Sequence, residues 1–126
     1  MKQSTRLQAM LKEPGGIIAP GVYDALSARI CQQIGFKALQ HSGFGTSAVR
    51  LARPDIGLLG LGEMAAQLKH IVDAVDIPVC GDCDTGFGNA LNAHHAACEY
   101  IRAGAAGLFI EDQVMPKRCG HMSGKA

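Results

Sequence analysis

Two clusters of residues carry most of the chemistry open to this chain. In Asp82-Cys83-Asp84-Thr85-Gly86 two carboxylates stand two residues apart, and in an extended chain such residues share a face. They can converge on one point, and a pair of carboxylates plus water is a usual way to hold Mg²⁺. Glu111, further along, could add a third oxygen ligand or accept a hydrogen bond behind the first two. The same five residues also read as an Asx-type turn, for which Asp and Gly are common, and both readings stand. They do not form an EF-hand loop, because the glycine falls one place early and the distal Glu is absent. The second cluster is Lys117-Arg118-Cys119-Gly120-His121. Two cations and an imidazole around one thiol would favour the thiolate, and Gly120 lets a ligand approach the backbone closely. A solvated basic loop with an incidental cysteine is the competing reading.

Three further signals are weaker. Gly43-Phe44-Gly45-Thr46-Ser47-Ala48 matches the dinucleotide pattern G-x-G-x-x-A, but Arg53-Pro54 ends any helix there too early for a Rossmann unit. Cys80 and Cys83, three apart in a strand, face opposite sides, so core packing suits Cys80 better than a redox or zinc pair. His41 and His70 read as a strand-face and a helix-surface histidine, and His94-His95 as the exposed side of a helix.

The elements that must position these groups alternate. Helical spacing predicts helices over 4–13, 23–34 (Leu26, Ile30, Ile34), 63–75 (Met64, Leu68, Ile71, Val72, Val75) and 91–103. Apolar runs predict short strands at Ile17–Ala19, Ala38–Ser42, Pro78–Asp82 and Leu108–Glu111, and 43–62 reads mostly as loop with a helical turn near 46–51. Strand–helix alternation with near-continuous apolar strands means a parallel sheet covered on both faces. Polar residues gather just past the strand ends, where both open doubly wound sheets and (β/α)₈ barrels place their sites. The pattern does not choose between the two.

Composition narrows the class. The 126 residues are 48% apolar, enough for a packed core, and a formal net charge of +1 excludes a polybasic footprint for nucleic acid or membrane. No apolar run approaches the ~18 residues of a membrane span, and no apolar stretch follows the first residues as in a signal peptide. Five cysteines, an odd count, suit free thiols in a reducing cytoplasm. Sixteen glycines indicate tight turns and close backbone approaches.

Taken in order, Pro20-Gly21-Val22-Tyr23-Asp24-Ala25, Ser42-Gly43, Pro54-Asp55, Asp82-x-Asp84-x-Gly86-Phe87-Gly88, Ile110-Glu111-Asp112-Gln113 and Lys117-Arg118-Cys119-Gly120-His121 resemble the isocitrate lyase/phosphoenolpyruvate mutase superfamily, most closely its methylisocitrate and 2,3-dimethylmalate lyase branch. The resemblance runs from about Arg6 onward. It implies a (β/α)₈ TIM barrel, Mg²⁺ as cofactor, and reversible carbon–carbon cleavage of a small hydroxy di- or tricarboxylate to an oxo acid and a dicarboxylate. It places Mg²⁺ on Asp82 and Asp84, with Glu111 bound directly or through water. Ser42 and Gly43 would bind the oxo-acid half, Asp55 would lie near the metal–ligand shell, and Arg118 joins them as a substrate-binding group. Cys119 resembles the thiol that donates a proton to the leaving carboxylate, with Lys117, Gly120 and His121 in its loop holding anionic charge. A cysteine there favours a lyase, since the mutase and hydrolase branches lack one.

Gln40 stands where family lyases usually carry Tyr, and Cys83 where a small apolar residue is usual. These departures keep an oxaloacetate decarboxylase or a phosphoenolpyruvate mutase-like enzyme as alternatives. A barrel takes ~250 residues, so residues 1–126 read as an incomplete barrel domain of about four strands plus the reactive loop. Such a half is expected to be weakly active at best and to self-associate through bare strand edges. A non-catalytic remnant or interaction module is the third reading. The partner is expected to be a small anionic carboxylate, and the complete protein a homo-oligomer, a tetramer by resemblance.

Overall fold

Each of the first three strands is followed by helix that returns the chain to the same edge. In this computed structural model, which describes residues 1–124 and 126, helix α1 (Gln3–Lys12) precedes β1 (Gly21–Val22), and α2 (Ala25–Ile34) leads to β2 (Leu39–His41). Helices α3 (Gly43–Leu51) and α4 (Leu61–Ala74) lead to β3 (Val79–Asp82), and α5 (Ala90–Ala103) leads to β4 (Gly107–Phe109). The four strands are parallel and adjacent in chain order, β1-β2-β3-β4. Helix α2 packs on α4 and α4 on α5. Strand order that never reverses, with the crossover helices side by side, is the winding of a barrel rather than of a doubly wound sheet, which settles what the sequence pattern left open.

Alternation along the strands separates two clusters. Leu39, Val79 and Cys83 lie with Val22, Met64, Leu68, Ile71 and Tyr100 in the main core beneath the helices. Ala38 and Cys80 point the other way, where Leu7 of α1 and Ala106 cover them at the N-terminal end of the strands. Arg6 and Gln3 tie α1 down by donating to the Asp76 carbonyl at 2.8 and 3.0 Å. Cys80 and Cys83 thus face opposite sides, and burial pushes the Cys83 thiol up to about 11, leaving it an inert thiol.

Four expectations are corrected. Residues 17–19 form no strand, and the first strand is displaced to Gly21–Val22, after Pro20, whose carbonyl accepts the Gln40 N–H at 3.0 Å. Residues 43–51 form a full helix, because the Ser42 hydroxyl caps it by accepting the Gly45 N–H at 3.0 Å. Leu26, Ile30 and Ile34 lie on the exposed side of α2, which meets the sheet through the fully buried Ala28. The last strand ends at Phe109, short of Ile110 and Glu111.

Tyr100 packs over β3 so tightly that a Cβ on Gly81 would sit 2.7 Å from its Cε1. Gly81→Ala is therefore expected to lower stability by about 1–3 kcal/mol through overpacking, read as a shifted urea midpoint; an unchanged midpoint would show that the ring has room to move.

Candidate functional site

Three strand ends and one loop bring the polar groups together. Asp82 closes β3, and its Oδ2 accepts the Gly43 N–H at 2.9 Å. That approach needs glycine, since a Cβ on residue 43 would stand 2.6 Å from the same oxygen. Asp82 Oδ1 accepts the Asp84 N–H at 3.1 Å. Asp84 itself sits at φ 45°, so the turn, not the extended pleat assumed from the spacing, swings its carboxylate back towards Asp82. The Asx turn and the converging carboxylates are one structure. Oxygens of Asp82, Asp84 and Glu111 all lie within 4.8 Å of one another, a group able to hold a cation.

Lys117 enters this group from the far loop. Only 1% of its side chain is exposed, and its Nζ lies 2.5 Å from Asp84, 3.0 Å from Asp55 and 3.4 Å from Glu111. Burial pulls its ammonium down, but the hydrogen bonds of Asp84 and Asp55 overcome this and hold it above the usual lysine value. Burial, then the neighbouring Asp84 charge, pushes Asp82 up to about 6, against the pull of its two backbone N–H donors and Lys117. Asp84 is raised chiefly by burial. These carboxylates are crowded and desolvated, and more cationic charge would stabilise them.

The rest of the Lys117–His121 loop is placed less centrally. Cys119 is buried, its carbonyl accepting the Met122 N–H at 2.9 Å, whereas Arg118 and His121 are exposed. The Arg118 guanidinium donates to the Ser123 carbonyl at 3.5 Å, and Gly120 is exposed within the same loop. Ser42 caps α3 beside the Asp82 contact, so Ser42, Gly43, Asp55, Asp82, Asp84, Glu111 and Lys117 form one neighbourhood. A cavity of about 460 Å³, within the usual range for small-molecule sites, opens beside Asp84 and Lys117 and is walled by Leu58, Leu59, Leu61, Phe87 and Met115.

Three supporting residues escaped sequence reasoning. The Tyr100 hydroxyl donates to the Asp82 carbonyl at 2.6 Å; a helical tyrosine carries no signal of that reach. The Gln113 amide bonds Glu111 and the Arg118 carbonyl, while its oxygen accepts the Arg118 N–H at 3.1 Å. Ser47 donates to the Arg53 and Pro54 carbonyls, both at 3.1 Å, holding the segment that carries Asp55. His70, His94 and His95 are exposed, as their helix positions suggest.

A singly wound parallel α/β scaffold with ionisable groups gathered at the C-terminal strand ends is the barrel type of fold. Within that class the family is also clear: residues 7–125 match the phosphoenolpyruvate phosphomutase family model, and the chain belongs to the phosphoenolpyruvate mutase/isocitrate lyase superfamily. It is 44% identical over 125 residues to a 2,3-dimethylmalate lyase of Eubacterium barkeri, covering 99% of this chain and 43% of that one. It is 51% identical over 122 residues to a chloroplastic carboxyvinyl-carboxyphosphonate phosphorylmutase of Arabidopsis thaliana, covering 96% and 36%. Among solved structures, an oxaloacetate acetylhydrolase in complex with 3,3-difluorooxalacetate superposes with TM-score 0.93 at 40% identity, over 99% of this chain and 43% of that one. A phosphonopyruvate hydrolase in complex with oxalate and Mg²⁺ gives 0.88 at 35%, over 93% and 41%. The chain thus spans about two fifths of the length of the relatives it matches. Among the described residues no helix is long and apolar enough to cross a membrane.

Removing the Lys117 ammonium from this cluster leaves Asp55, Asp84 and Glu111 facing each other in a desolvated space. Lys117→Met is expected to cost about 3 kcal/mol or more at pH 7.5, as for other broken buried pairs. The carboxylates would then hold protons more tightly folded than unfolded, so the variant's stability rises as pH falls towards 5. Urea unfolding at the two pH values checks this, and an equal loss at both would remove electrostatics as the cause.

Proposed function

We propose that this chain supplies the metal-holding and proton-donating part of a Mg²⁺-dependent carbon–carbon lyase acting on a small 2-hydroxy di- or tricarboxylate of the methylisocitrate kind. The observation that carries the reading is the convergence of Asp82, Asp84 and Glu111 at the strand ends. Their hard oxygens suit Mg²⁺, and an ammonium already drawn among them supports a site that favours cations. When bound, Mg²⁺ would polarise the substrate oxygen that becomes the carbonyl.

The chain's own residues take the other roles. Ser42 and the Gly43 segment line the approach to Asp82, where the oxo-acid half would rest. As the substrate hydroxyl gives up its proton to water and becomes the carbonyl, the carbon–carbon bonding pair stays on the carbon of the departing acid, as an aci-carboxylate. Cys119 would return a proton to that carbon, and Lys117 and His121 would offset the anionic charge, with Gly120 and Arg118 shaping the loop around the substrate. Asp55 holds Lys117 at 3.0 Å, keeping that cation at the site. The complete protein would be a cytoplasmic homo-oligomer, a tetramer by resemblance.

A second reading has its own support. The 51% identity to a phosphorylmutase favours phosphoenolpyruvate mutase-like chemistry. The assay that separates them uses the protein with whatever sequence its coding region supplies after residue 126, given 2-methylisocitrate, oxaloacetate and a phosphonate substrate in turn. The lyase reading expects an oxo acid and a dicarboxylate in equal amounts and dependence on Mg²⁺; oxo acid without a second dicarboxylate would sink it. An in-frame stop after codon 126 would instead favour the non-catalytic remnant. Cys119→Ser is expected to lower cleavage at least about a hundredfold, the scale of a lost general acid, while Mg²⁺-dependent binding of oxalate stays within about twofold. Retained cleavage would reject the acid role.

A further inference from the structure

His41 is fully buried on β2, yet nothing in the proposed chemistry uses it. Its Nε2 lies 2.9 Å from the Thr46 hydroxyl, which itself lies 2.8 Å from the Ser42 carbonyl. Proton counting orients this chain. The carbonyl only accepts, so the Thr46 hydroxyl donates to it and must accept from His41 Nε2–H. The opposite tautomer would bury an N–H on Nδ1, which has no partner among the described residues, and orphaned donors are the costlier kind. Burial agrees with a neutral ring, pushing the imidazole down to about 4.

The Ser42 carbonyl that ends the chain also accepts the Thr46 N–H at 2.9 Å. Ser42 is the cap of α3, and the next peptide carries the Gly43 N–H to Asp82. A buried imidazole with one nitrogen unsatisfied is an expensive way to fill space that an aliphatic side chain could fill dry. What the imidazole adds is a fixed donor, locking Thr46 so that its hydroxyl holds the peptide between Ser42 and Gly43 in one orientation.

We propose that His41 is a positioning residue: through Thr46 it sets the Ser42–Gly43 turn, and so aims the ligand-facing end of α3 at Asp82. This rests on the reading of Ser42 and Gly43 as the turn that meets the substrate, but the positioning itself can be measured without it.

The experiment places His41→Leu, His41→Gln and Thr46→Val in the protein with whatever sequence its coding region supplies after residue 126, and compares each with the unsubstituted protein by backbone amide hydrogen exchange, thermal unfolding and oxalate binding in the presence of Mg²⁺. Gln can place a side-chain N–H near the position of Nε2, whereas Leu and Val break the chain with little change in shape. In His41→Leu and Thr46→Val the Gly43 and Gly45 amides are expected to exchange at least about tenfold faster, while core amides of β3 and the thermal midpoint hold. His41→Gln should restore slow exchange. Oxalate affinity should fall by about tenfold in the same two variants and recover with Gln. Exchange at Gly43 and Gly45 unchanged in either broken variant would overturn the proposal, as would Gln behaving like Leu. If His41→Leu loses its fold, Thr46→Val decides alone. If that protein without a substitution binds no oxalate with Mg²⁺, the proposed function fails while the exchange rates still judge His41.

Discussion

Among the described residues, four carboxylates and the Lys117 ammonium share a single desolvated space at the C-terminal ends of the strands, and much of the site's architecture answers that crowding. Asp55, Asp82, Asp84 and Glu111 arrive from three different segments, and Lys117 from a fourth. One fixed positive charge cannot balance them. Asp82, pushed up to about 6, is still mainly ionised at neutral pH. The remaining charge is spread over backbone donors, the N–H groups of Gly43 and Asp84. An N–H at a helix start is among the few neutral groups that can face a carboxylate without a penalty.

This constraint explains features that otherwise look unrelated. Gly43 lacks a side chain because the α3 N-terminus must come within hydrogen-bond reach of Asp82. Asp84 accepts a left-handed backbone conformation, costly for a residue with a Cβ, because only that turn brings its carboxylate beside Asp82 and Lys117. Ser47 spends its hydroxyl on the Arg53 and Pro54 carbonyls to hold the Asp55 segment in place. Tyr100 fixes the Asp82 peptide from the helix side. The apolar core beneath Leu39, Val79 and Tyr100 is the rigid floor on which this polar layer rests.

The sequence disclosed the parts of this that depend on local chemistry. Period-3.6 patterning located α4 because its inner face carries large apolar residues, Met64, Leu68 and Ile71 among them, whereas α5 buries Ala96, Tyr100 and Ala103. It misjudged α2, where fully buried Ala28 makes the close contact and the large residues face outward; a pattern of size does not reveal which stripe is covered. It missed the length of α3 because a Gly-rich start looks like loop until the Ser42 cap is seen. The acidic pair was legible from spacing, though for a reason the pleat did not supply. The pairing of Lys117 with Asp84 was not legible at all, since 33 residues separate them and only the barrel winding brings their segments together.

That pairing changes how the Lys117–His121 run is understood. Read as a string, its two cations surround a thiol; folded, the first of them is held by three carboxylates. A lysine so placed performs two duties with one charge: it relieves the acidic cluster, and it fastens the loop bearing Cys119 to the ends of β3 and β4. Any cation that enters among Asp82, Asp84 and Glu111 must share or take over the first duty, and the second is thereby altered. The position of the Lys117–His121 loop and the charge state of the metal-ligand candidates are therefore a single variable in this fold, set by where the Lys117 ammonium rests.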